Sequence, residues 1–300
     1  MSADADAGGR SAGNNRRPLV IAHRAGTADF PENTVRAIDG ALAHKADMMW
    51  LSVQVSRDGV PVLYRPADLS ALTDGTGNVV DHDSEQLTRL NAGYQFKDAS
   101  GGHPYREHPT LLPTLEEALR HLPQPMGVLL DMKSPDTQAL VPAIAKTLDA
   151  LEGEGRKEWE RVRFYSTEKP NLDAITAYPH ARLIEDRDTT RTRLVASRLT
   201  GNCLNAPRSG TWAAFELRRD VTVTEKFTLG EGRSPVKQAL MWDLAAAACF
   251  HTHPSVRTVL IGIETKDDYT TAKKLDAYAV LTDSPKHMME VMNKAAATTR

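Results

Sequence analysis

The chain has 300 residues, 41% hydrophobic and 25% charged, enough to bury a large core that one barrel-sized domain accounts for. Its 37 basic and 39 acidic side chains leave a net charge of -2, which excludes a surface given over as a whole to nucleic acid but leaves room for a local anion site. No apolar run is long enough to cross a bilayer and no secretory leader opens the sequence, so it reads as a cytoplasmic protein.

Residues 1–17 are mostly Ala, Gly, Asp and Asn with three arginines. They cannot bury enough surface to offset the entropy of ordering, so a disordered tail is expected before a single domain over residues 18–295. Leu19–His23 is a short apolar strand. Thr34–Ala43 carries Val35, Ile38 and Leu42 at helical spacing. Met48–Val55 reads as a strand and Val60–Tyr64 as another, after an Asp58-Gly59 turn in which glycine accepts a positive φ. Asp74–His108, rich in Gly, Asp and His, reads as an irregular insertion. Pro113–Leu122 is a helix whose Thr114 and Glu117 form a capping box. Gly127–Met132 is a buried strand and Thr137–Leu151 a helix. Arg161–Ser166, Arg182–Glu185, Arg257–Ile263 and Ala277–Thr282 are further strands, with helices at Tyr269–Leu275 and Pro285–Lys294. A second insertion, at residues 220–234, alternates like a strand pair. Cys203 and Cys249 read as two free buried thiols or as a disulfide.

Strands alternating with helices imply a parallel sheet, and about eight such units in this length fit a (β/α)8 TIM barrel. No Gly-x-Gly-x-x-Gly follows the first strand, which weakens an open dinucleotide-binding sheet. In a barrel the chemistry sits at the C-terminal strand ends. Those ends read His23-Arg24, Ser52, Arg65, Asp131 with Lys133, Ser166, Glu185, Glu264 and Thr282-Asp283. Basic groups converging there attract an anion, and a planar guanidinium suits phosphate.

Six short segments follow one another over Pro18–Met292: HR at His23-Arg24, PENT at Pro31–Thr34, VQVSRDGVPVL at Val53–Leu63, TDGTG at Thr73–Gly77, LDMK at Leu130–Lys133 and VLTDSP at Val280–Pro285. In this order they resemble the glycerophosphodiester phosphodiesterase family, a β/α barrel of the phospholipase C-like type. The resemblance implies two histidines acting as acid and base across a phosphodiester, assisted by Mg²⁺ or Ca²⁺. His23 is the first histidine. The family's Glu-x-Asp metal pair falls on Trp50-Leu51-Ser52 here, and its second His-Asp falls on Arg65-Pro66. Asp131 remains at the third metal-carboxylate position. Trp offers no oxygen ligand and Ser a weak one, so no divalent cation, or only a weakly bound Mg or Ca at Asp131, is expected.

Three functions fit. The first is a metal-free phosphodiesterase-like enzyme, a hydrolase or a lyase or cyclase, acting on a phosphate-bearing small molecule. His23 is its acid/base and Arg65 replaces the cation. Arg24 and Lys133 then hold phosphate, Glu32, Trp50 and Ser52 line the substrate site, and His82, His103 or His108 supplies a second proton-transfer group. The second is an inactive relative that binds a phosphorylated ligand. The third is a metal-dependent hydrolase drawing ligands from Glu32, Asp131, Glu185 and Glu264. Plain structural roles stand beside these. Glu32 and Asn33 order a turn and cap a helix, Trp50 fills the barrel top, and Thr282-Asp283 closes a strand and caps the last helix. His251 and His253, just before Pro254, read as incidental.

Overall fold

The computed structural model describes residues 17–297, so the expected tail, apart from Arg17, lies outside the described residues. The chain forms two compact units, residues 19–186 with those from 281 onward, and residues 187–280.

The larger unit begins with β1 (Leu19–His23), α1 (Val35–Ala43), β2 (Met48–Val55) and β3 (Pro61–Leu63). Two short helices follow, α2 (Ser84–Leu87) and α3 (Leu115–His121), then β4 (Gly127–Met132), α4 (Thr137–Gly153) and α5 (Glu158–Arg161). It continues through β5 (Val162–Tyr165), α6 (Lys169–Ile175) and β6 (Arg182–Leu183). Strand β2 is buried at every position, as a parallel strand covered on both faces should be. Its odd-numbered residues Met49, Leu51, Val53 and Val55 pack with Ile38, Leu119, Leu140 and Leu148 of the helices. By the two-residue period of a strand, Trp50, Ser52 and Gln54 face the other way. The capping box at Thr114 and Glu117 is formed, each side chain bonding the other's backbone N–H.

One strand runs against expectation. β3 pairs antiparallel with β2, Val53 opposite Leu63 and Val55 opposite Pro61, so Val60–Tyr64 is the return arm of a hairpin and no barrel strand. Gly59, at φ +79°, makes the turn possible. Beyond it the insertion has a core of its own, in which Val62 and Tyr64 pack with Leu69, Val79, Leu87 and Leu112.

The smaller unit holds α7 (Arg187–Thr200), β7 (Trp212–Glu216), β8 (Arg218–Phe227), β9 (Gly230–Leu240), α8 (Leu244–Phe250), β10 (Arg257–Ile261) and α9 (Lys266–Lys274). β7 and β10 pair in parallel. β8 and β9 form an antiparallel hairpin that extends beyond residues 220–234 on both sides. Cys203 and Cys249 form a disulfide, not two free thiols. The chain ends with β11 (Ala279–Thr282) and α10 (Pro285–Ala297). The sheet order is β6-β5-β4-β2-β1-β11-β10-β7, eight strands with β3 attached to β2, which is the strand number of a (β/α)8 barrel.

Candidate active site

β1 ends at His23 and the chain turns at once. Arg24 and Ala25 have φ of 49° and 64°, and Gly26 has 100°. A left-handed conformation costs a non-glycine residue about 1–2 kcal/mol. Local hydrogen bonds hold it: the N–H groups of Gly26 and Thr27 donate to the His23 carbonyl at 2.8 and 3.1 Å, and Asn33 N–H donates to the Arg24 carbonyl at 2.9 Å. Strain gathered beside a titratable side chain is a feature of functional sites.

The PENT segment braces this turn. Arg24 Nη1 and Thr27 Oγ1 both donate to Glu32 Oε2, at 2.6 and 2.8 Å. The Glu32 side chain is 8% exposed, and its Oε1 has no hydrogen-bond partner among the described residues. Asn33 does not cap the helix. Its Oδ1 accepts the Ser52 N–H at 2.9 Å and ties the loop to β2, while Thr34 is the N-cap, accepting the Ala37 N–H at 3.1 Å.

Across the β1 end lies a partner that sequence reading took only for a strand end and cap. His23 Nδ1 and Asp283 Oδ1 are 2.5 Å apart. The loop after β11 that carries Asp283 is fastened to the loop after β1. Ala28 N–H donates to the Asp283 carbonyl at 2.9 Å, and Ser284 Oγ donates to Asp29 Oδ1 at 2.7 Å. Burial by itself raises the Asp283 carboxyl. The hydrogen bond from His23 and the charges of His23 and Arg24 outweigh it and hold the group below its ordinary value. His23 Nε2 makes no hydrogen bond among the described residues.

β2 and β4 supply the floor. His23 pairs in register with Trp50, and Ser52 with Asp131, which in turn pairs with Tyr165. The Trp50 ring lies edge-on to His23 at 6.3 Å and tilted against Tyr165 at 4.9 Å. Ser52 is fully buried, and neither its Oγ nor Trp50 Nε1 has a hydrogen-bond partner. Asp131 is 5% exposed. Lys133 Nζ lies 3.1 Å from Asp131 Oδ1, an ion pair not aligned as a hydrogen bond. Burial pushes the Asp131 carboxyl above its usual range despite the opposing pull of Lys133, Trp50 and His23.

His23, Arg24, Glu32, Trp50, Ser52, Asp131 and Lys133 thus occupy the ends of β1, β2 and β4 and the turn beside them. Arg65, past the end of β3, is exposed and makes no hydrogen bond or ion pair among the described residues. Ser166 serves a turn, its Oγ donating to the Met132 carbonyl and accepting the Glu168 N–H. His82 is held within its own insertion by the Thr76 carbonyl. Glu264, His251 and His253 belong to the smaller unit.

The family's divalent cation fits these residues poorly. Of the carboxylates at hand, Glu32 and Asp131 already face the cationic side chains Arg24 and Lys133, and Asp283 already meets His23. Between them stand an indole and one hydroxyl, whereas Mg²⁺ and Ca²⁺ ask for several oxygens. Among the described residues no group of three or more His, Cys, Asp or Glu side chains is placed to hold a metal.

Residues 23–207 match the glycerophosphoryl diester phosphodiesterase family model. An uncharacterized protein of Mycobacterium tuberculosis is 46% identical over 274 residues, 91% of this chain and 89% of the relative. The crystal structure of the glycerophosphoryl diester phosphodiesterase domain of a Mycobacterium tuberculosis uncharacterized protein superposes with a TM-score of 0.84 at 45% identity, covering 92% of this chain and 99% of that one. A Bacillus subtilis glycerophosphodiester phosphodiesterase is 33% identical over 125 residues, 40% of this chain and 42% of the relative. An Oleispira antarctica phosphodiesterase, solved with its product sn-glycerol-3-phosphate, shares the fold at 19% identity with a TM-score of 0.66 over 92% of this chain and 97% of that one. The chain belongs to the glycerophosphoryl diester phosphodiesterase family and has its (β/α)8 barrel.

Proposed function

We propose that this protein is a phosphodiesterase-type enzyme that cleaves a phosphodiester in a small phosphate-bearing molecule without the family's divalent cation. What carries the reading is His23, whose side chain is 23% exposed at a barrel strand end with Nδ1 engaged and Nε2 open. In this reading Nε2 takes the proton of the attacking hydroxyl or water as the new P–O bond forms, and returns it to the departing oxygen as the old one breaks. Lys133 and Arg24 hold the phosphate from the strand ends. Arg65, exposed and without an ion pair among the described residues, can turn toward the charge that builds on its oxygens. Trp50 and Ser52 set the shape of the floor. The sn-glycerol-3-phosphate in the Oleispira enzyme supports a ligand of this class.

A site with one histidine forgoes about 10²–10⁴-fold of rate relative to one with a separate acid and base. Attack by a hydroxyl of the substrate itself recovers part of that, because the nucleophile arrives already positioned. Cyclisation therefore suits the site better than hydrolysis by water. The test is turnover of glycerophosphocholine, glycerophosphoethanolamine and a lysophospholipid with and without EDTA, the products followed by phosphorus NMR. EDTA-insensitive cleavage is expected. EDTA-sensitive cleavage restores a metal-dependent hydrolase. Absence of cleavage with thermal stabilisation by the same phosphodiesters makes the protein a binder.

The Cys203–Cys249 disulfide favours an oxidising compartment over the cytoplasm. Thiol titration of protein taken directly from its native host, with free thiols blocked before lysis, checks this.

A further inference from the structure

We infer that Asp283 is the positioning residue of His23, fixing the tautomer with the proton on Nδ1 so that Nε2 is the atom that accepts a proton from the reacting group. The inference rests on His23 being the acid/base of the proposed reaction, but its structural part stands without any substrate.

Three observations combine. First, Nδ1 and Oδ1 are 2.5 Å apart, well within hydrogen-bond reach, and a hydrogen bond to an ionised acceptor is among the stronger ones. An ionised carboxylate only accepts, so the proton between them belongs to the imidazole, and a neutral ring with its proton on Nδ1 presents a lone pair at Nε2. The hydrogen bond from the His23 ring and the charge of Arg24 keep the carboxylate ionised. Second, the Trp50 ring stands beside the imidazole, with centroids 6.3 Å apart and 83° between planes. A flip of the imidazole would lose the carboxylate and gain nothing in return.

Third, the pair is not left to side-chain chance. The Asp283 side chain is 47% exposed, and an ion pair that open is weak unless its partners are held in place. Here the backbone holds them. Ala28 N–H takes the Asp283 carbonyl, Ser284 Oγ takes Asp29 Oδ1, and Lys286 N–H meets Asp29 Oδ2 at 3.2 Å. Gly26 lets the two loops approach, since a Cβ there would lie 3.1 Å from Pro285 Cδ. The positive-φ run Arg24–Gly26 is the strained element that swings Ala28 and Asp29 under Asp283. The last strand of the barrel thus contributes a residue to the chemistry of the first.

The test compares wild type with Asp283→Asn, Asp283→Ala and Asp283→Glu, each first checked for a single cooperative thermal transition well above the assay temperature. With ¹⁵N-labelled histidine at about pH 8, where imidazoles are mostly neutral, ring nitrogen shifts report the tautomer. Wild type should show His23 protonated at Nδ1. Asp283→Ala should show a mixture of tautomers, and Asp283→Asn a change of the Nδ1 signal as the amide replaces an obligate acceptor. Cleavage should lose about 10²–10⁴-fold in kcat with KM altered by less than about 3-fold, and Asp283→Glu should recover part of it. An Nδ1–H tautomer unmoved in Asp283→Ala overturns the inference, as does a fall confined to KM. If no substrate is cleaved, the proposed reaction fails while the NMR result still decides the role of Asp283.

Discussion

At the ends of β1, β2 and β4 polar side chains are sunk, with Asn33 1%, Ser52 0% and Asp131 5% exposed, and along the β8–β9 hairpin apolar ones are bare, with Phe227 62% and Leu229 99% exposed. The two departures from ordinary partition do not cost alike. A buried polar atom without a partner costs about 1–3 kcal/mol, and Glu32, Asn33 and Ser52 each carry one among the described residues. Scattered exposed apolar side chains cost almost nothing. The mouth is therefore held in its arrangement by surroundings that outweigh its local preferences, which is how sites of chemistry differ from ordinary surface. The hairpin is held by its own ladder and by Phe227, whose ring lies where a Cβ on Gly232 would come within 2.6 Å of it. Substitution should thus be felt sharply in one region and faintly in the other.

The widest gap between them is in activity. His23→Ala should remove cleavage by at least about 10³-fold while leaving the thermal transition within a few degrees, because the side chain is part-exposed and packs mainly through one ring edge. Retention of activity would show that another group moves the proton. In stability the largest effect should come from outside the mouth. Replacing Cys203 and Cys249 by Ser opens a cross-link spanning 46 residues. On the chain-entropy model this costs about 4 kcal/mol, read as a lower urea midpoint that reductant does not lower further.

Acid should split the mouth itself. The Asp283 carboxyl is held below its ordinary value, so its stabilising share is complete above about pH 4 and disappears as pH falls through its folded value. The Asp131 carboxyl is raised, so ionising it in the folded state is a burden, relieved as pH falls through its folded value towards the ordinary one. Urea titrations from pH 7 downward should show the advantage of wild type over Asp283→Asn shrinking. The same series should show the balance between wild type and Asp131→Asn moving towards wild type. A common direction for the two would mean that one of the carboxylates is not in the state assigned to it.

Two of the strands beneath the mouth are legible in the sequence. Met48–Val55 and Gly127–Met132 have the bounds expected of them, because strands buried on both faces write uninterrupted apolar runs. β7 escaped notice because Trp212–Glu216 contains two alanines and carries little strand signal. The direction of β3 was written in the Asp58-Gly59 turn, a hairpin signal, yet counting strands towards a barrel overrode it. That reversal is why Arg65 lies beyond β3 rather than at a parallel strand end. Asp283 was visible as a residue type at a strand end. Its partner is 260 positions away, and only the sheet order, with β11 beside β1, says which two ends meet.

A smaller test separates structural from functional burial within the mouth. Ser52→Ala removes a fully buried hydroxyl that bonds to nothing in the fold, so stability should hold or rise by up to about 1 kcal/mol. If the hydroxyl serves the substrate, KM or kcat should worsen at the same time. A loss of stability would mean that the fold, and not a ligand, uses it.

The faintest effects belong to the hairpin. Leu229→Ser should leave global stability within about 0.5 kcal/mol, since the side chain is 99% exposed and packs against nothing. Phe227→Ser removes the ring laid over Gly232 and should loosen the hairpin alone. A two-stranded ribbon is marginal by itself, so its opening is a local event and need not move the global midpoint. Hydrogen exchange should show faster exchange at the β8 and β9 amides, with β2 and β4 protection unchanged. Cooperative loss of protection in β2 and β4 together with the hairpin would mean that these exposed side chains help hold the fold, and the contrast between the two regions would then dissolve.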